Sequence, residues 1–363
     1  MFIKKWIVAS SILLGFIGSG HAETRLANWN IQTLRYKNDP VKVFADEYDR
    51  QDADYQDLRK WADLTGADVY FLQEVTSPAA LDEVFPLSAG WQYCISGQFA
   101  LNEGQTTPGP SCFKAGETPT KPQAATRTQY TAVAIRSTGS TSIISAQDLS
   151  ELNVKTIDNG ITRDVRWGLD VTLSINTTPM RFLVVHLKSG CFDEFIDRKT
   201  WLTDPTGLTP ASDACVTKGR QLFFLRRWIE QREAAGDLWG IVGDMNRRID
   251  AGAGYFPDEI WRALSGYSPD NKGDDLDGRA DITIYREPYK EPSPCWKEFS
   301  NPRPATLKES DSYNLLPIEF FIFGTSLAAH IAPGSGHHVP WPSPSATDPE
   351  RLSDHCPSYV ELK

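Results

Sequence analysis

The chain has 363 residues and no Cys-x-x-Cys pair among its six cysteines. That absence argues against a structural zinc site, whose ligands come in closely spaced pairs. No internal repeat is present, which sets aside solenoids and propellers. Beyond the N-terminal stretch, no apolar run approaches the length of a bilayer-crossing helix. No Pro-, Gly- or Ser-rich linker and no composition shift divides the chain, so one large domain with a sizeable core is expected. Positive charge is scarce as well: 37 Lys and Arg stand against 47 Asp and Glu, a formal net of −10. A net acidic chain does not coat nucleic acid through its overall charge. It can still serve a phosphate through a bound cation and a few local Arg and Lys residues.

What is there begins with Lys4 and Lys5, an apolar stretch from Trp6 to Ile17, and the small-residue run Gly18-Ser19-Gly20-His21-Ala22. This is the pattern of a secretory signal peptide over residues 1–22, followed by one domain over 23–363. Removing Lys4 and Lys5 from the 37 basic residues leaves 35 against 47 acidic, a net of −12. A secreted or periplasmic destination is oxidising, so Cys94, Cys112, Cys191, Cys215, Cys295 and Cys356 are expected in disulfides. Neighbour pairing is the expectation: Cys94–Cys112, Cys191–Cys215 and Cys295–Cys356. The first two would close surface loops, and the third would pin the segment carrying His355.

Apolar runs bounded by polar residues mark strands at Leu26–Ile31, Asp68–Glu74, Tyr130–Arg136, Trp167–Ile175, Met180–Leu187, Trp239–Val242, Ile318–Phe323 and Ser358–Leu362. Leu58, Trp61 and Leu64 have helical spacing, and Arg220–Glu233 carries the stripe of an amphipathic helix. Residues 97–128, 190–217, 266–310 and 333–350 read as loops. Strands apolar on both faces, alternating with helices, indicate α/β layers.

Five strings each end an apolar run in polar residues: Asn28-Trp29-Asn30, Gln73-Glu74, Val185-His186-Leu187-Lys188, Gly243-Asp244-Met245-Asn246 and Ser353-Asp354-His355. Carboxylates, amides and two imidazoles at strand ends are what is needed to hold a hard divalent cation and attack a phosphodiester with water. Asp244 and Asn246, two residues apart on an extended segment, would point the same way. The adjacent Gly243 would let the backbone turn.

In this order the strings resemble the endonuclease/exonuclease/phosphatase superfamily, and a secreted, deoxyribonuclease-like bacterial member of it in particular. The resemblance runs from Asn30 to His355. It implies a four-layer α/β sandwich, two packed mixed β-sheets flanked by helices, with the site at one end of the sheets. It implies Mg²⁺ or Mn²⁺ on Glu74, with Asn30 assisting through its amide oxygen and Asp354 as a metal-side carboxylate. By the same resemblance His186 binds the scissile phosphate as a cation, Asp244 orients the attacking water, Asn246 binds phosphate or metal, and His355 acts as general base or phosphate ligand. The family usually carries an Asp that orients this last His; here Glu319 stands in that place, one methylene longer. Either Glu319 reaches His355 from a shifted backbone or the orienting group lies elsewhere. Arg166, and less closely Arg163, match a phosphate-contacting arginine. Lys188 would add charge to the pocket, and Gln129 and Tyr130 fall where secreted deoxyribonucleases place groove contacts.

The expected activity is that of a metal-dependent phosphodiester hydrolase, a monomer acting as an endonuclease on DNA. A sphingomyelinase-like phosphodiesterase acting on membrane lipid shares every catalytic residue and is the alternative, with the Val339-Pro340-Trp341 loop as its membrane contact. Asp274, Asp275 and Asp277 could hold a structural Ca²⁺, although their spacing is not that of an EF-hand. A solvated acidic loop is the plainer reading.

Overall fold

The computed structural model describes residues 24–363 apart from 46, 138–139, 193, 248, 250–258, 267–280, 289–292, 294, 296–316 and 341–351. Residues 1–22, expected to be a signal peptide, the segment with Asp274, Asp275 and Asp277, and Trp341 therefore lie outside the described residues.

One sheet is built from β1 (Thr24–Leu34), β2 (Val69–Val75), β3 (Trp91–Ile95), β4 (Ser111–Phe113), β5 (Tyr130–Arg136), β14 (His337–His338) and β15 (Ser358–Leu362), hydrogen-bonded in the order β14-β15-β1-β2-β5-β3-β4. The other is built from β6 (Thr141–Leu149), β9 (Gly168–Ile175), β10 (Thr178–His186), β11 (Trp239–Asp244), β12 (Ile284–Glu287) and β13 (Glu319–Gly324), in the order β12-β13-β11-β10-β9-β6. Both sheets are mixed: β1 runs parallel to β2 and β10 parallel to β11, while the other pairings are antiparallel. A short ribbon, β7 (Thr156–Asp158) with β8 (Ile161–Arg163), stands apart.

Three separate cores define four layers. Leu26, Phe71, Val133, Phe182, Val184, Val242 and Phe321 fill the space between the sheets, and Phe71 meets Phe182 with ring centroids 4.9 Å apart. Trp29, Tyr70 and Leu72 face outward onto Leu58 and Trp61 of helix α1 (Asp52–Thr65) and onto helix α2 (Pro78–Val84). On the far side Leu183, Val185, Ile241 and Phe320 pack on Leu222, Leu225 and Ile229 of helix α5 (Ala214–Ala235) and on helix α6 (Glu259–Ser265). This is the expected sandwich.

Side chains alternate faces along a strand, and that alternation positions the site. The inner-face series Leu26, Phe71, Val184, Val242 and Phe321 continues two residues on into Asn28, Gln73, His186, Asp244 and, toward the start of β13, Glu319. Each of these five strands therefore runs out into a polar group at the same end of the sandwich. Gly243 sits inside β11 rather than at a turn. Its φ is +148°, and a Cβ there would lie 1.9 Å from the Val185 carbonyl oxygen. Only glycine lets β10 and β11 approach at this point.

The neighbour pairing of cysteines is the one found: Cys94–Cys112, Cys191–Cys215 and Cys295–Cys356. Elements absent from the sequence reading are mostly short or exposed, β3 being a buried exception. β6 is an edge strand whose alternate residues are solvated on one face, and α2, the one-turn α3 (Gln98–Asn102) and α4 (Arg198–Leu202) are too short to show a period.

Candidate active site

The second sheet presents its polar row in register. His186 pairs with Asp244 across β10 and β11, and Asp244 pairs with Glu319 across β11 and β13. All three are buried. His186 Nε2 lies 3.5 Å from Asp244 Oδ2 and 3.9 Å from Glu74 Oε1. The Ser353–His355 loop closes over this row, and His355 Nδ1 is in direct contact with Glu319 Oε1. The longer side chain therefore reaches the imidazole from the position where the family pattern has an Asp.

The first sheet contributes through irregular backbone. Register shifts interrupt the β1–β2 ladder between Asn30 and Leu34 and the β2–β5 ladder between Leu72 and Val75. Within these bulges Gln32, Thr33 and Glu74 adopt φ of 46°, 48° and 63°. Such values cost a non-glycine residue free energy and persist only where surrounding contacts hold them. Here the contacts are plain. Glu74 Oε2 accepts from Thr33 N at 3.0 Å and Thr33 Oγ1 at 3.1 Å. The Arg50 guanidinium donates to the carbonyls of Thr33 (3.0 Å), Ile31 (3.2 Å), Gln32 (2.7 Å) and Leu352 (2.6 Å). Arg50 thus ties the bulge to the start of the Ser353–His355 loop. Ser353 Oγ donates to Asn30 O at 2.8 Å, and Asp354 N donates to Gln32 Oε1 at 3.0 Å.

The sheets meet through Asn30, whose Nδ2 donates to Glu74 Oε1 at 3.2 Å and to Asp244 Oδ2 at 3.1 Å. Its Oδ1 accepts from Gln32 N at 3.1 Å. In this arrangement Asn30 bridges the two carboxylates through its NH₂. Beneath it, Asn28 donates to Gly243 O at 3.3 Å and accepts from Gln73 Nε2 at 3.0 Å.

Burial sets the proton chemistry. It pushes the His186 imidazole well below its usual value, with Arg166, His355 and Lys218 adding to the shift. That shift favours the neutral imidazole over the cation that the family resemblance implies. Burial lowers His355 to about 4, against the pull of Glu74. Asp244 is raised by burial to about 6. Burial, then the charges of Glu74 and Asp244, raise Asp354 to about 7. Asp354 feels the charges of Glu74 and Asp244, and Asn30 Nδ2 joins Glu74 to Asp244, so three carboxylates lie near one another; carboxylate oxygens are the donors a hard divalent cation takes. Asp244, Glu319 and His355 also bring one donor atom each to within 4.8 Å of one another.

The other predicted residues divide. Arg166 is half-buried, donates to Gln129 Oε1, and acts electrostatically on both His186 and Lys188. Lys188 donates to Ser189 O at 2.9 Å, and Gln221 Oε1 holds its backbone N–H at 2.9 Å. Arg163 lies on the exposed ribbon in an ion pair with Asp158 at 3.2 Å, a surface role and not a place among the buried groups. Gln129 is buried and donates to Glu74 Oε2 and Thr33 Oγ1; it braces the site and does not line a groove. Tyr130 is buried against Phe99, and its hydroxyl accepts from Asn102 at 2.9 Å, so it too is not a groove contact. Its outward face follows from pairing with Val75 in the interrupted ladder.

Asn246 does not continue an extended segment. β11 ends at Asp244, Met245 turns into the outer core, and Asn246 has φ 49°. Its backbone N–H donates to Asp244 Oδ1 at 2.6 Å and its Nδ2 to Leu187 O at 3.0 Å. Two residues at the site escaped the sequence reading, Arg50 and Lys218. Nothing local marks Arg50. Lys218 stands four residues before Leu222 and seven before Leu225, on the buried stripe of α5, and a lysine at such a position is a signal in its own right.

No family model and no curated protein matches the chain. Among solved structures it is similar to the catalytic domain of human Nocturnin with bound sulfate (TM-score 0.49, 12% identity, 94% of each chain covered). It is similar to an endonuclease/exonuclease/phosphatase from Bacteroides vulgatus (TM-score 0.49, 12% identity, 94% of this chain and 99% of that one). It is also similar to a functionally unknown conserved protein from Enterococcus faecalis V583 (TM-score 0.51, 11% identity, 94% of this chain and 99% of that one). At such identity the likeness shows the fold alone: a four-layer α/β sandwich, with endonuclease/exonuclease/phosphatase structures among those that resemble it.

Proposed function

We propose that the chain is a divalent-metal-dependent phosphodiester hydrolase, and that its substrate is DNA, cut endonucleolytically outside the cytoplasm. The observation that carries the hydrolase reading is the convergence, at one end of the sandwich, of the row His186–Asp244–Glu319 from one sheet with Glu74 and Asn30 from the other, under the loop bearing Asp354 and His355. Glu74 and Asp354, with Asp244 adjacent, would hold Mg²⁺ or Mn²⁺. Such a cation supplies Lewis-acid charge to the phosphate oxygens and leaving group.

The chain's own residues supply the rest. Asp244, its carboxylate held by Asn30, His186 and the Asn246 N–H, is placed to orient a water. His355 is a neutral imidazole able to take that water's proton, and the Glu319 carboxylate against Nδ1 would stabilise the imidazolium formed. Arg166 and Lys188 place positive charge where phosphoryl oxygens gain negative charge. For export, the support is the N-terminal pattern and the pairing of all six cysteines. Among the described residues no helix is long and apolar enough to cross a membrane.

The test is supercoiled plasmid with purified protein in Mg²⁺ or EDTA, beside a His186→Ala variant. Metal-dependent nicking by the wild type and not the variant is expected. No nicking by folded protein in Mg²⁺, Mn²⁺ or Ca²⁺ would overturn the DNA reading and move the assay to other phosphodiesters.

A further inference from the structure

A lysine buried from solvent must spend its charge on something. Lys218, in the first turns of α5, is fully buried. Burying an ammonium is costly unless its donors are satisfied. Its Nζ donates to Cys191 O at 2.8 Å and to Asn246 O at 2.7 Å, so one side chain spans two segments that meet nowhere in sequence. Cys191 follows the His186–Lys188 strand end, and Asn246 follows Asp244.

The helix is held at this point from two directions. Asp213 caps it, accepting from Cys215 N at 2.7 Å and Val216 N at 2.9 Å. The Cys191–Cys215 disulfide fastens its first turn to the loop whose carbonyl Lys218 grips. One turn on, Gln221 of the same face accepts the Lys188 N–H at 2.9 Å and donates to Leu152 O at 3.1 Å. The buried N-terminal face of α5 thus holds the backbone on both sides of the second sheet's polar row.

We infer that Lys218 is a positioning residue: by fixing the Asn246 carbonyl it holds Asn246 in its left-handed conformation, and so aims the Asp244 carboxylate at the site. The chain of contacts is direct. Asn246 N–H donates to Asp244 Oδ1 at 2.6 Å, so displacing the turn that carries Asn246 removes a donor from Asp244. The left-handed φ of 49° at Asn246 is disfavoured for a free side chain-bearing residue, and the ammonium–carbonyl bond is one contact that offsets it. The inference rests on the hydrolase reading for its consequence, but not for its geometry.

Lys218→Met keeps the length and removes both donors and charge. In the full chain, kcat for phosphodiester cleavage should fall about tenfold or more, as when a group supporting a site ligand is lost, with KM little changed. Asn246→Ala should cost less in the Lys218→Met background than in the wild type, because both changes act on one turn. Amide exchange should quicken at 187–191 and 244–247 and not in β1 or β2. Should Lys218→Met not fold, Lys218→Gln, which keeps an NH₂ donor, is expected to retain partial protection there. Wild-type kcat with unaltered exchange, or fully multiplicative losses in the double variant, would overturn the inference. If the wild type cleaves no phosphodiester, the functional reading fails by itself, and the exchange at 187–191 and 244–247 still decides whether Lys218 holds the turn.

Discussion

The two sheets build the site by opposite means. In the second, the β10–β11 and β11–β13 ladders keep register to their last residues, so His186, Asp244 and Glu319 fall side by side. The first breaks register in both strands that reach the site, and Glu74 gains its place from a bulge held by Thr33, Gln129 and Arg50. A regular strand end delivers a side chain rigidly toward one face. A bulge can re-aim one, which suits a carboxylate that must meet a cation jointly with groups from another strand and a loop. On the proposed reading, the groups that need fixed orientation lie on the regular sheet, and Glu74, the carboxylate proposed to take the cation with Asp354, lies on the irregular one.

That contrast can be broken at several points. The largest effect should come from the regular row: His186→Ala or Asp244→Ala should lower kcat by about 10² to 10⁴ with far-UV circular dichroism unchanged. Retention of wild-type rates in initial-velocity assays would show that the row is structural. Glu319→Gln tests the contact with His355. Losing the charge behind the imidazole should cost about 10²-fold or more in kcat, whereas Glu319→Asp, which shortens the reach but restores the family's carboxylate, should cost less.

On the irregular side the effect should fall on the metal. Thr33→Val removes one of the donors on Glu74 and should weaken metal affinity about tenfold, measured as the Mg²⁺ concentration for half-maximal rate, with kcat at saturating metal nearly preserved. A loss of kcat instead would mean the bulge orients chemistry too.

A smaller effect concerns the seam between the sheets away from the site. Asp148, on β6, accepts from Gly97 N at 2.9 Å, and burial raises its carboxyl to about 6. A folded-state value above the unfolded one means the folded chain holds this proton more tightly. That contribution to stability is therefore full below about pH 3.8 and is lost as pH rises through 6. Asp148→Asn should raise the melting temperature at pH 8 relative to wild type and leave the difference near zero at pH 4, read by thermal unfolding at both pH values. The smallest effect on function is expected from Cys94→Ser with Cys112→Ser. That bridge closes an 18-residue separation and contributes about 3 kcal/mol by loop closure, lowering the melting temperature while leaving nicking unchanged.

The legibility of the chain follows the same division. A run such as Phe182-Leu183-Val184-Val185-His186 declares its own alternation, so the polar strand ends were readable one by one. Tyr130 and Gln129 were misplaced because the bulge in β2 changes which residues face the site, and no local pattern announces a bulge of ordinary residues. Asn246 was misplaced because its left-handed turn is held by Lys218 and Leu187, 28 and 59 positions away. Arg163 was ambiguous beside Arg166 because only the packing shows which arginine the ribbon carries into solvent.

By itself, the sequence determined which face of each strand is apolar, where each apolar run gives way to acid, amide or imidazole, and that six cysteines could pair by proximity. These are local quantities, set by side-chain alternation and hydrophobic burial. The tertiary structure alone decided that Glu319 meets His355, that Asn30 turns its NH₂ to two carboxylates, and that Arg50 and Lys218 clamp the site's backbone. Those contacts join residues brought together by strand order, bulges and helix packing, and the one-dimensional pattern of a chain carries no record of which of its ends will be neighbours.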